Sequence, residues 1–226
     1  MTRISVFFLL VIGPVMAICL AILGVMTVQT NLIGYFLIFL GVLYPLGLFI
    51  IVVKQKRKYW IAPPAEIIKK EESGDRSFWA ISFGMIAAFY LPPLEFLNFG
   101  FKFEHARWVQ VLGFCILLLG ALLFVWVRRA LGTSYSGHIS TVDEQTLVQH
   151  GPYRLIRHPG YAAYLLIAIG ISVGFTSWTG LVSIVLLLIP GLIYRISVEE
   201  KVLISHFGEQ YTRYQQRTRR LLPWVW

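Results

Sequence analysis

Between Ile4 and Val53 the chain carries no charged residue. A bilayer core about 30 Å thick needs about 20 helical residues to cross it, so this run holds two crossings. Backbone amides inside lipid have no water to bond to, which forces such a segment to be helical. The stretches Ser77–Leu94, Trp108–Val127 and Pro159–Tyr194 are likewise free of Asp, Glu, Lys and Arg. The chain is 57% hydrophobic and 14% charged, which excludes a disordered polymer and exceeds the apolar share of soluble domains. Arg3 ahead of an apolar stretch has the outline of a signal peptide. The stretch is too long for that and no small-x-small site closes it, so it is read as a first membrane helix.

Polar breaks divide the runs. Gln29–Thr30–Asn31 separates helices near Ile4–Val28 and Leu32–Val53, the second carrying Pro45. Two further helices are expected near Phe78–Leu97 and Trp108–Val127. The small and polar residues of Gly174–Thr179 turn the last run into a hairpin, near Tyr161–Val173 and Trp178–Val198, whose first arm is short. After it, Leu203, Phe207, Tyr211 and Tyr214 form one helical stripe opposite Glu209, Gln210 and Arg213, as in a helix lying at the interface. The sequence therefore predicts an all-α, polytopic integral membrane helical bundle of about six transmembrane helices with a C-terminal amphipathic helix. Residues 1–127 form its N-terminal membrane helices. Residues 128–226 hold a polar loop, the hairpin and the interfacial helix, within one integrated domain.

Lys and Arg set the orientation. They crowd the 54–77 loop, the 128–160 segment and the tail, while the opposite side has only Lys102 and Arg107. By the positive-inside rule both termini and the polar segment face the cytoplasm. The net charge of +9 is thus explained by topology and attraction to anionic membrane lipid, with no nucleic-acid partner. Trp60, Trp79, Trp178, Trp224 and Trp226 lie near membrane boundaries, where anchoring is the default role. Cys19 and Cys115 sit in apolar runs and the histidines lack ligand spacing, so neither a disulfide framework nor a metal site is expected.

Chemistry concentrates after Arg128. Gly151-Pro152-Tyr153 marks a turn back to the membrane. In Arg157-His158-Pro159-Gly160-Tyr161, Pro159 suits the first position of a helix, whose N-terminus attracts anions. Arg195, Glu199 and Glu200 place charge at the end of the last apolar run, where it is costly unless paired or functional. Arg195 and Glu199 are spaced for an i, i+4 pair. Glu200, rotated about 100° away, is left free for a cation.

These segments, in this order, resemble the isoprenylcysteine carboxyl methyltransferase superfamily, which includes phospholipid N-methyltransferases. The residues carrying the resemblance are Gly151-Pro152-Tyr153, Arg157-His158-Pro159-Gly160-Tyr161, Arg195 with Glu199-Glu200, Leu203, Phe207-Gly208, Tyr211, Tyr214 and Pro223, with Leu131-Gly132 and Tyr135-Ser136 upstream. The match spans about residues 120–226. One position departs from the pattern: a family glycine is Ala163 here, which bears on the shape of the pocket. The resemblance implies a membrane methyltransferase using S-adenosylmethionine, bound on the cytoplasmic side, and a lipophilic or lipid-modified acceptor entering from the bilayer. It implies that Tyr153, Arg157, His158, Pro159, Tyr161 and Glu200 form the cofactor pocket, and that Arg195 and Glu199 lie toward the acceptor as catalytic residues. A carboxylate acceptor needs no base; an amine would need one, from Glu199 or His158. The sequence leaves open a carboxylate, amine or thiol acceptor. It also leaves two competing classes, an NADPH-dependent membrane reductase of the sterol reductase type and a non-enzymatic membrane protein that keeps the fold.

Overall fold

The structure is a computed structural model that describes residues 12–54, 76–99, 107–131 and 147–221. The charge-rich 54–77 loop beyond Lys54 and before Arg76, the Tyr135-Ser136 pair, Pro223, Trp60, Trp224 and Trp226 lie outside the described residues.

The charge-free runs become helices. They are α1 (Gly13–Thr27), α2 (Ile33–Lys54), α3 (Arg76–Phe99), α4 (Arg107–Leu131) and α5 (Pro159–Gly174). Next come α6, a continuous helix over Trp178–Phe207, and α7 (Glu209–Arg217). Among the described residues, Trp79–Phe99 of α3, α4 and α6 are long and apolar enough to cross a membrane by themselves. α1, the described apolar part of α2 and α5 are shorter. With 16 residues, α5 is about 24 Å long, the short hairpin arm that the sequence foresees. Leu119, Leu122, Val185 and Leu186 point outward, as lipid-facing side chains do. The protein is an all-helical integral membrane protein.

Helices joined by short connections pack antiparallel, and small residues let them approach closely. A side-chain carbon on Gly113 of α4 would lie 2.3 Å from the backbone nitrogen of Gly174 in α5. One on Gly170 would lie 2.5 Å from the nitrogen of Leu117, so only glycine permits this crossing. Ile33, Leu37, Phe96, Leu117, Ile171 and Phe175 then fill one core that joins α2, α3, α4 and α5. A second core joins α3, α5 and α6 through Ile81, Ala88, Ala168, Ile184, Leu188 and Leu192. The N-terminal helices are thus built into the same body as the motif-bearing half.

Polar pins hold the end of the bundle away from the motifs. Asn31 Nδ2 donates to the Gly174 carbonyl at 2.8 Å, while its oxygen accepts from the Ile33 amide. Glu95, near the end of α3, caps α6 from a neighbouring helix. Its Oε2 accepts from the Thr179 amide at 3.0 Å, from the Thr179 hydroxyl at 2.6 Å and from the Ser177 hydroxyl. A negative charge there satisfies orphan amides and complements the helix dipole. Glu95→Ala is expected to cost about 1–2 kcal/mol. The check is a lowered thermal midpoint in detergent with unchanged ligand affinity, because the cap stands at the end of α6 remote from the motifs.

Two details depart from the sequence reading. The last span does not end near Val198 but runs to Phe207. Gly208 then breaks the expected Leu203–Tyr214 stripe, with φ +53°, a conformation that favours glycine. Leu203 and Phe207 therefore belong to α6, and the short helix α7 carries Tyr211 and Tyr214. α6 also contains a π-helical turn at Ile184–Leu188. Pro190 explains it: proline has no amide to donate to the carbonyl four residues back, and its ring crowds that carbonyl.

Candidate active site

At the other end of the bundle, four elements converge. The 3-10 turn Gly151–Arg154 leads into the Arg157–His158 corner, and Pro159 opens α5. Proline at a first helical position leaves no amide unsatisfied, so the corner turns sharply into the membrane. The end of α6 brings Arg195, Glu199 and Glu200. α7 and the following strand-like segment close over them. The Arg157 amide donates to the Arg219 carbonyl at 2.7 Å and the His158 amide to the Arg220 carbonyl at 3.0 Å. This is a short parallel bridge between the corner and the tail.

Glu200 sits at the centre, and where helical spacing leaves it without a partner the fold gives it several. It is 4% exposed. Its Oε1 accepts from Arg157 Nε at 2.8 Å and lies 3.4 Å from His158 Nε2. Its Oε2 accepts from Arg220 Nε at 3.0 Å and faces Arg220 Nη2 at 2.9 Å. Arg157 in turn donates through Nη1 to the carbonyls of Gln215, at 3.1 Å, and Thr218. These are the carbonyls at the end of α7, which helical bonding leaves unsatisfied. Arg157 therefore ties α7 and the tail to Glu200.

Glu199 belongs to a second chain of bonds. Its Oε2 accepts from the Tyr161 hydroxyl at 2.6 Å. That hydroxyl accepts from Arg195 Nε at 3.3 Å, and Arg195 Nη1 donates to Ser77 Oγ at 3.1 Å. The expected Arg195–Glu199 linkage thus runs through a phenol contributed by α5. Arg195 and Ser77 are buried. The Glu199 side chain is 28% exposed against 5% for Glu200, so Glu199 is the more accessible carboxylate. His158 stands between the two chains, with Nδ1 3.8 Å from Glu199 and Nε2 toward Glu200. It occupies the N-cap position of α5, yet its side chain makes no cap bond, so its ring serves the cluster instead. The ring stacks on Tyr161 at 5.7 Å.

Of the eight site residues expected, His158, Tyr161, Arg157, Arg195, Glu199 and Glu200 meet in this cluster. Pro159 is buried at the start of α5. Tyr153 lies at the margin, its carbonyl accepting from the Tyr214 hydroxyl at 2.7 Å. Ala163 is fully buried within α5. Three participants escaped the sequence reading. Ser77 is the polar residue that begins a charge-free run. Arg220 was counted only as a topogenic charge, and Tyr211 as part of an apolar stripe and of the family pattern, with no place in the site. The Tyr211 hydroxyl is buried with no hydrogen-bond partner among the described residues, a state that costs about 1–3 kcal/mol. Burial first, and then the charge of Glu200, push that phenol well above the ordinary tyrosine range, so it stays an O–H donor. Burial likewise raises Tyr214 to about 12. No group of three or more His, Cys, Asp or Glu suited to a metal occurs among the described residues.

The comparisons bear on the same part of the chain. The phospholipid methyltransferase family model matches residues 108–210, which run from the start of α4 into α7 and include every expected site residue. The match covers somewhat less than half of the chain and likens it to the isoprenylcysteine carboxyl and phospholipid methyltransferase superfamily. The probable protein-S-isoprenylcysteine O-methyltransferase of Oryza sativa subsp. japonica is 29% identical over 151 residues, 64% of this chain and 78% of that protein. The protein-S-isoprenylcysteine O-methyltransferase of Saccharomyces cerevisiae is 28% identical over 143 residues, 62% of this chain and 59% of that one. The eukaryotic intramembrane Ras methyltransferase, an isoprenylcysteine carboxyl methyltransferase, shares the fold with a TM-score of 0.54 and 21% identity. That match covers 97% of this chain and 71% of the other. These likenesses support a membrane methyltransferase.

Proposed function

We propose that this methyltransferase transfers a methyl group from S-adenosylmethionine to the carboxylate of a prenylated cysteine at the cytoplasmic face of the membrane. The observation that carries the reading is the convergence of His158, Tyr161, Arg195, Glu199 and Glu200 at one end of a lipid-embedded bundle. The donor is a zwitterion with an added sulfonium charge, and the residues present fit it. Glu199 offers an accessible carboxylate with only Oε2 engaged by the described residues. Tyr211 offers a buried hydroxyl awaiting a partner. When bound, the donor supplies an electrophilic methyl group.

The chain's own task is then alignment. Bringing reacting atoms within about 3–3.5 Å in line accounts for much of such a rate enhancement. Tyr161, held between Glu199 and Arg195, fixes both side chains. Glu199 is the acceptor for the donor's ammonium, a role that the family resemblance gives to Glu200 and that the sequence itself leaves open between the two. Arg195, anchored by Ser77, presents a guanidinium suited to an acceptor carboxylate. Since a carboxylate is nucleophilic without losing a proton, no base is required. Tyr153, Arg157, His158 and Pro159 shape the pocket wall, and Glu200 locks it. The orientation rests on charge: Arg128, Arg129, Arg154 and Arg157 lie at this end, and Arg107 at the other. The six apolar helices cross in alternation.

The experiment is equilibrium binding of radiolabelled S-adenosylmethionine to the detergent-purified protein with NADPH as competitor. It is followed by methyl transfer to a farnesylated cysteine or to phosphatidylethanolamine. Saturable binding indifferent to NADPH, with methyl incorporated only into the prenylated cysteine, is expected. Displacement by NADPH would turn the site into a reductase's. Methylation of the phospholipid alone would move the acceptor to an amine.

A further inference from the structure

Arg220 lies beyond residues 108–210, where the family model matches, yet it reaches the centre of the site. Its backbone is fixed on both sides. The Arg219 carbonyl accepts from the Arg157 amide, the Arg220 carbonyl accepts from the His158 amide, and Leu221 is buried with Ile156, Ala162 and Ile196. The side chain then closes on one oxygen of Glu200. Nε donates to Oε2 at 3.0 Å, and Nη2 stands 2.9 Å from the same atom. Two N–H groups of one planar fork set the direction of the oxygen they share, which a compact ammonium does not. With Oε2 held, Oε1 is turned toward Arg157 Nε at 2.8 Å and His158 Nε2 at 3.4 Å.

Arg220 thereby acts on a ring it does not bond. The His158 imidazole stacks on Tyr161 with 20° between the planes. Stacking fixes the plane of the ring but not which nitrogen carries the proton. A carboxylate set between two guanidiniums accepts and does not donate, so the hydrogen facing Oε1 belongs to Nε2. Nδ1 is then left on the side of Glu199, 3.8 Å from its Oε2. We propose that Arg220 is a positioning residue: by fixing the Glu200 carboxylate it holds His158 with its proton on Nε2 and its Nδ1 toward Glu199. Glu199 is the carboxylate that receives the donor's ammonium in the function proposed above. That last link rests on the pocket being the S-adenosylmethionine site; the state of the imidazole does not.

The test is nitrogen NMR of isotope-labelled histidine in the full chain in detergent, at about pH 8.5, well above the ordinary imidazole pKa. Wild type is compared with Arg220→Lys and Arg220→Gln, and the His158 signals are identified by their loss in His158→Gln. The wild type should show the Nε2–H tautomer alone. Arg220→Lys keeps a positive charge beside Glu200 and every backbone anchor of the tail, so its thermal midpoint should match the wild type. It should nevertheless show both tautomers at His158, and calorimetric affinity for S-adenosylmethionine should fall about tenfold. Arg220→Gln should do the same and lower the midpoint as well. An unchanged tautomer in Arg220→Lys would make Arg220 a mere counter-charge and overturn the proposal. A midpoint lowered as far in Arg220→Lys as in Arg220→Gln would make it a structural tie, with the same result. A wild-type ring protonated on Nδ1, or on both nitrogens, would also overturn it. A shifted tautomer with unchanged affinity would break the link to the donor site. A wild type that binds no S-adenosylmethionine, while the tautomer still follows Arg220, would keep the positioning and overturn the donor reading instead.

Discussion

Glu200→Gln is expected to lower stability by about 3 kcal/mol or more, because it strips a buried carboxylate from the guanidiniums around it. Arg157 is 9% exposed at its side chain and bears most of that loss; Arg220, at 35%, is partly solvated and bears less. The tail should loosen with it, since Arg157 fastens Gln215 and Thr218 to this carboxylate. Glu199→Gln is expected to behave differently. Its carboxylate is more exposed and is held by one phenol, so the fold should survive with little change in thermal midpoint. Donor affinity should instead fall about ten- to a hundredfold, the worth of a charge-assisted bond. Thermal midpoints and calorimetric affinities on the two variants separate the roles. A stable Glu200→Gln protein with weak donor binding, beside a Glu199→Gln protein with normal binding, would return the ammonium to Glu200.

The contrast between these neighbours shows where sequence reasoning reached its limit. The helices were legible because lipid imposes one rule on every residue of a span: apolar outside and hydrogen-bonded within. The Gln29–Asn31 and Gly174–Thr179 breaks fell where the chain turns. The site's members were legible too, since charge at the end of an apolar run is expensive and stands out. What could not be read was who pairs with whom. Helical spacing alone offers Glu199 to Arg195 and leaves Glu200 without a partner. The partners of Glu200 are Arg157, His158 and Arg220, all remote in sequence, and Arg220 reaches it only because the tail pairs with the Arg157–His158 corner. A single dibasic step in a basic tail carries no mark of that fold-back. Ser77 was hidden for a related reason: a lone serine in a membrane helix usually bonds its own helix, and nothing local announces an arginine from α6.

Removing Ile193 is expected to abolish donor binding, by more than about a hundredfold, although its own side chain faces outward. α6 is anchored at both ends: Glu95 holds Thr179 at one, and Tyr161, Arg157 and Arg220 hold Glu199 and Glu200 at the other. Gly84 and Gly191 fix its middle, since a side-chain carbon on either would strike backbone across the α3–α6 contact. One residue lost from a regular helical turn after Gly191 rotates everything beyond it by about 100°. Arg195, Glu199 and Glu200 would then leave Ser77, Tyr161 and Arg157 together. The π-turn at Ile184–Leu188 supplies the control. It holds one residue more than a regular turn, so deleting Leu186 there, with Pro190→Ala to admit an ordinary helix, removes the bulge while both flanks keep their places. Donor affinity should then stay within a few-fold of the wild type. Calorimetry on the two deletions distinguishes register from mere length. Equal damage from both would mean that the span tolerates no shortening, and equal tolerance would mean that the Glu199–Glu200 face is not held in the register described.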